Sequence, residues 1–224
     1  MMNDVLADGA SQGRLGAEAQ RNEERANALT HGAGVVLAIA SAALMIWHTI
    51  DRPIGTMISC LAFVGSATAV FAASTLSHVF LDDPVWLKKL RAWDQGLIYL
   101  MITGTYTPIV YHFASPTTRN PLLIAIWLAA SIGFYSKVFA KHRINGIGTA
   151  TYLALGWVPA MFLTGRVPAM VLLWMTIGGV LYTLGVAVLV NDSKMRYLHA
   201  VWHLLVITAA ACHYWAIYWY IAAA

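Results

Sequence analysis

The chain has 224 residues, of which 59% are hydrophobic and 11% charged. Soluble domains carry about 25% charged residues, so a soluble globular domain is excluded and the class is integral membrane. The net charge of +4 reports topology rather than nucleic-acid binding, and no nucleic-acid partner is expected.

In chain order, residues 1–25 are polar, with no apolar core, and end in the charged lead-in Asn22-Glu-Glu-Arg25. This stretch is not a signal peptide and reads as a mobile cytoplasmic tail. From residue 26 to 224 the chain is one transmembrane domain. A membrane helix needs about 20 apolar residues, and seven runs approach or exceed that: Ala28–Ile50, Ile54–Phe80, Trp93–Phe113, Leu122–Phe139, Gly146–Leu163, Pro168–Val190 and Leu198–Ile221. Period-2 alternation is lacking, which excludes a membrane barrel. The fold class is therefore all-α, with seven transmembrane helices. Cys60 and Cys212 fall inside apolar runs without CxxC spacing, so neither a disulfide framework nor a thiolate metal site is expected.

Lys and Arg are unevenly placed. Eleven lie in the tail and in the second, fourth and sixth loops, including Lys88, Lys141 and Arg196. Three (Arg52, Arg119 and Arg166) lie in the first, third and fifth loops. Positive charge stays cytoplasmic, which predicts the N-terminus inside and the C-terminus outside, in a multi-pass protein of the inner cell membrane.

Orientation gives each polar residue a depth. The second run ends inside, so Ser74 and His78 lie near its cytoplasmic end. The third run starts inside, which places Asp94 there. The last run also starts inside, with His199 and His203. Residues four apart share a helix face, so His199 and His203 form a metal-type pair. At 1.5 Å per residue all five positions fall within about 10 Å in depth. Three histidines with a fourth position open to water suit Zn2+. Asp94 could hold that water, take its proton or ligate the ion. Ser74, one turn before His78, could hold the water or donate to a polarised oxygen.

Blander readings exist for each residue. A lone intramembrane histidine more often bonds between helices, and Asp94 could be a helix N-cap or first-turn acid. His31 shares the depth of the cluster and could support it. His48 and His112 lie near the outer interface and look solvated; His142 belongs to a basic loop. His213 is about 15 Å beyond His203 along the helix, too far to share the ion.

Five stretches carry a resemblance: Asn27-Ala-Leu-Thr-His31; Ser74-Thr-Leu-Ser-His78; Asp94 through Pro108; Gly178-Gly-Val-Leu-Tyr-Thr-Leu-Gly185; and His199-Ala-Val-Trp-His203 with Cys212-His213. From about Glu24 to the C-terminus the chain resembles the bacterial hemolysin III proteins. These belong to a seven-helix superfamily with the adiponectin and progestin receptors and, more distantly, the alkaline ceramidases. The resemblance implies zinc held by His78, His199 and His203, with Asp94 acting on or beside the water at the ion and Ser74 next to them. Nothing before Glu24 resembles the larger cytoplasmic domain of the adiponectin receptors, so signalling through such a domain is not implied. The hemolysin label implies lysis, which no residue explains.

Two functions follow as expectations. One is a zinc-dependent hydrolase of a lipid amide or ester near the cytoplasmic face, with Asp94 as general base and Ser74 assisting. The other is a non-catalytic protein, a membrane-homeostasis sensor or lytic factor, in which the zinc is structural. Membrane lipids are the expected partners in either case.

Overall fold

The computed structural model describes the backbone of residues 2–140 and 145–224, and the side chains of residues 16–140 and 148–224. Lys141, His142 and Arg143 of the fourth loop lie outside the described residues, as does the side chain of Arg14. Among the described residues there is no strand. The elements are α1 (Met2–Thr49), α2 (Ile54–Val79), α3 (Pro84–Phe113), α4 (Pro116–Val138), α5 (Asn145–Leu163), α6 (Ala169–Leu189) and α7 (Leu198–Ile217). A 3-10 turn at Asp192–Lys194 precedes α7, and a π turn at Tyr218–Ala222 extends it.

Among the described residues five helices are long and apolar enough to cross a bilayer, and α5 contributes a shorter apolar stretch, Gly148–Leu163. Helix α3 is longer than the Trp93–Phe113 run because its first turns, Pro84 to Arg91, are helical too and carry the basic residues Lys88, Lys89 and Arg91. The outward faces identify the solvent. Leu29, Trp47, Ile132 and Met161 are 74%, 75%, 71% and 74% exposed, in a pattern that water would penalise and lipid favours. The molecule is an all-helical membrane protein.

The polar lead-in is not separate from the first apolar run. Helix α1 continues through both, and Glu23 and Glu24 dock onto the neighbouring elements. The Arg196 guanidinium donates to Glu23 at 2.6 Å and to the Ala19 carbonyl at 3.2 Å, and Arg91 lies 3.8 Å from Glu24.

Two clusters of buried side chains hold the bundle. One gathers Phe63, Ile109, Val110, Ile126 and Ile217 around Met45. The other packs Val70 and Phe71 of α2 against Leu97 and Met101 of α3 and Val206 of α7. The second cluster adjoins the histidines, so α2, α3 and α7 are fixed relative to one another where the site lies. Gly104 allows the α2–α3 approach: a Cβ there would lie 2.6 Å from the Ala62 carbonyl oxygen.

A histidine cluster at the meeting of α1, α2, α3 and α7

Helix α2 places His78 in its last turn, and α7 places His199 and His203 in its first two. The three rings converge. Their centroids are 5.1 Å apart for His78–His199, 5.2 Å for His78–His203 and 4.6 Å for His199–His203. One nitrogen from each falls within 4.8 Å of the other two, close enough for the three to hold a metal ion.

The partners of the other nitrogens say which atoms these are. The Nδ1 of His78 donates to the Glu24 carboxylate at 2.6 Å. The Nδ1 of His199 donates to Asp192 at 2.9 Å. The Nδ1 of His203 is shared between the Thr30 hydroxyl oxygen at 3.0 Å and the Asn27 carbonyl at 3.2 Å. Each ring therefore turns Nε2 away from its anchor, with the lone pair available. In metal proteins this arrangement fixes the tautomer and raises the basicity of the ligand. The Nε2 of His78 is buried with no hydrogen-bond partner, an expensive state that a cation would relieve. The donor set therefore fits a divalent cation that accepts imidazole nitrogen.

Local backbone delivers the Asp192 anchor. Tyr197 stands at φ 64, ψ 4 as the N-cap of α7. This left-handed conformation is rare outside glycine. It reverses the chain between the Asp192–Lys194 turn and α7, and so lays Asp192 against His199. The Arg196 guanidinium stacks 5.2 Å over the Tyr197 ring.

Asp94 stands beside the three histidines rather than among them. It is not at a helix start: α3 begins at Pro84, and Asp83 caps it by accepting from the Val85 and Trp86 amides at 2.8 and 3.1 Å. The N-cap reading of Asp94 is therefore wrong. It lies nearly three turns into α3, and its carboxylate faces Ser74 and His78. The Ser74 hydroxyl, 1% exposed, makes no hydrogen bond of regular geometry. Asp94, Ser74, His31 and His199 all line one cavity of about 330 Å³, which runs on between α3, α5, α6 and α7 past Met101, Trp202 and Val206 to Leu163 and Val171.

His31 packs its ring on that of His203, with centroids 3.5 Å apart and planes 16° from parallel, and neither of its nitrogens has a partner. It supports His203 by stacking. His48 is half-buried and bonded to the Tyr218 hydroxyl at 2.8 Å rather than freely solvated, whereas His112 is exposed. Glu24 and Asp192 were the anchors that sequence reasoning missed. Glu24 lies one turn before Asn27 and two before His31 on α1, which puts it on their helix face, but spacing along α1 does not say that this face meets His78 of α2.

Known proteins share this sequence pattern across its length. The chain is 33% identical over 213 residues to Hemolysin-3 of Bacillus cereus, covering 89% of this chain and 92% of that one. It is 31% identical over 204 residues to the Hemolysin-3 homolog of Bacillus subtilis, covering 88% and 94%. It is also 29% identical over 203 residues to the human monocyte to macrophage differentiation factor, covering 89% and 84%. The bacterial relatives and the apolar helices describe a multi-pass protein of the cell membrane. The profile of the Haemolysin-III related family matches residues 19–214, and the chain belongs to that family.

Proposed function

We propose that the protein is a metal-dependent hydrolase of a lipid amide or ester, with zinc on His78, His199 and His203 and the site near the cytoplasmic face of a seven-span bundle. The observation that carries this reading is the anchored histidine cluster, which meets a largely apolar cavity through His199, beside Asp94 and the buried Ser74 hydroxyl. The charge distribution supports a cytoplasmic N-terminus and an outer C-terminus.

Held by His78, His199 and His203, zinc would supply a Lewis acid for a carbonyl and a water acidified towards a pKa of about 7. The chain's own groups do the rest. Glu24, Asp192 and the Thr30–Asn27 pair keep the three rings in one tautomer. Asp94 accepts the proton of the attacking water and returns it to the leaving amine or alkoxide as the acyl C–N or C–O bond breaks. The Ser74 hydroxyl donates to the carbonyl oxygen as it gains charge. The cavity excludes water and takes the acyl chain.

The test is cleavage by purified, zinc-loaded protein of a panel comprising ceramide, phospholipid and other acyl lipids. Release of fatty acid from at least one supports the reading. No cleavage of any, together with an unchanged cellular lipid profile in Asp94→Asn, overturns it. A second reading draws on the cluster joining α2 to α7: the metal is structural in a non-catalytic membrane-homeostasis factor. That reading predicts that His203→Ala unfolds the protein while Asp94→Asn changes nothing measurable.

A further inference from the structure

The same cavity carries a second polar pair that the proposed chemistry does not use. His213 lies ten residues beyond His203 on α7, about 15 Å along the axis, and is 6% exposed. Its Nε2 lies 3.2 Å from the Met175 carbonyl oxygen. A carbonyl only accepts, so Nε2 carries the proton and, in the neutral ring, Nδ1 is an acceptor. That Nδ1 is buried and has no partner. Tyr182 of α6 sets its ring 5.6 Å from that of His213, at 48°, and its hydroxyl is likewise buried without a partner. Both residues line the cavity, among Val171, Met175 and Val206.

Space is made for this pair. A Cβ at Gly178 would lie 2.3 Å from His213 Nε2 and 3.0 Å from the Ala209 carbonyl oxygen. Only glycine lets α6 pass this close to the imidazole. One unpaired acceptor and one unpaired donor, on rings 5.6 Å apart in a largely apolar wall, are costly to leave unmatched. Together they complement one hydroxyl, which both donates and accepts.

We infer that His213 and Tyr182 form a specificity subsite for a hydroxyl carried partway along the chain of the lipid in the cavity. The lipid hydroxyl donates to His213 Nδ1 and accepts from the Tyr182 O–H. This inference rests on the reading of the cavity as an acyl-chain site.

Ricinoleic acid and oleic acid are a matched pair, differing only by a mid-chain hydroxyl. Each is measured in competition with a fluorescent fatty acid on the purified full chain in nanodiscs, at equal mole fraction in the bilayer. The expected result is ricinoleic acid binding about tenfold tighter than oleic acid to the wild type, the equivalent of one hydrogen bond beyond what lipid offers. Tyr182→Phe keeps the ring and should reduce that ratio to within about twofold, with oleic acid binding and metal content unchanged. His213→Leu should do the same by removing the acceptor. Equal binding of the two acids by the wild type overturns the subsite but leaves the cavity reading standing, as does a preference that survives both substitutions. Failure of both acids to bind overturns the subsite and the cavity reading together.

Discussion

Each histidine of the cluster is held by a group on another segment, and those groups orient the three rings. Glu24 and Asp192 each accept from an Nδ1. Glu24→Gln and Asp192→Asn should each weaken metal binding by about 10- to 100-fold, read by competition with a calibrated chelator. Unchanged affinity in both would show that the rings need no anchor. The histidines themselves were legible in the sequence: His199 and His203 from their spacing, and His78 from a depth match after charge counting. The anchors were not, for physical reasons. The Glu24–His78 bond spans 54 positions and the His203–Asn27 bond 176, and spacing within one helix carries no information on either. Asp192 reaches His199 only because Tyr197 takes a left-handed conformation, which Tyr does not advertise.

The helices follow the apolar runs, and the larger extensions at their starts, in α1 and α3, each have a cause. Helix α3 starts earlier than its apolar run because Asp83 caps it ahead of Pro84, which moves Asp94 from a cap position into the wall of the cavity. Helix α1 extends through the polar lead-in, where Glu23 and Glu24 are paired with Arg196 and Arg91. Small residues set how closely helices pack, and two glycines of the transmembrane helices make opposite predictions. A Cβ at Gly104 meets the Ser66 hydroxyl and the Ala62 backbone, whereas one at Gly65 meets nothing within 4 Å. Gly104→Ala should destabilise by about 1–3 kcal/mol through overpacking. Gly65→Ala should leave stability unchanged or raise it by up to about 1 kcal/mol through helix propensity. Thermal unfolding in one detergent separates them; equal effects would mean that the α2–α3 approach is not tight.

At the scale of the whole molecule, the orientation and the metal are open to direct measurement. A phosphatase fused to the C-terminus should be active, and a fluorescent protein fused there should stay dark, if the C-terminus is outside; the reverse pattern contradicts the charge argument. A ligand that binds only the folded bundle stabilises it by about 2.7 kcal/mol at 100 times its dissociation constant. Chelation should therefore lower the unfolding temperature of the wild type and leave His203→Ala, which lacks one ligand, almost unaffected. The histidine cluster joins α2 to α7 whether or not it does chemistry, so stability alone does not separate the two functions. Asp94 does, because it faces the cluster from α3 without belonging to it. The most direct measurement is metal content and lipid hydrolysis, determined together on purified wild type and Asp94→Asn. We predict equal bound zinc and equal unfolding temperatures, with product formation reduced at least about 100-fold in the variant. Wild-type rates in a folded, zinc-loaded Asp94→Asn protein would contradict a catalytic role for this site.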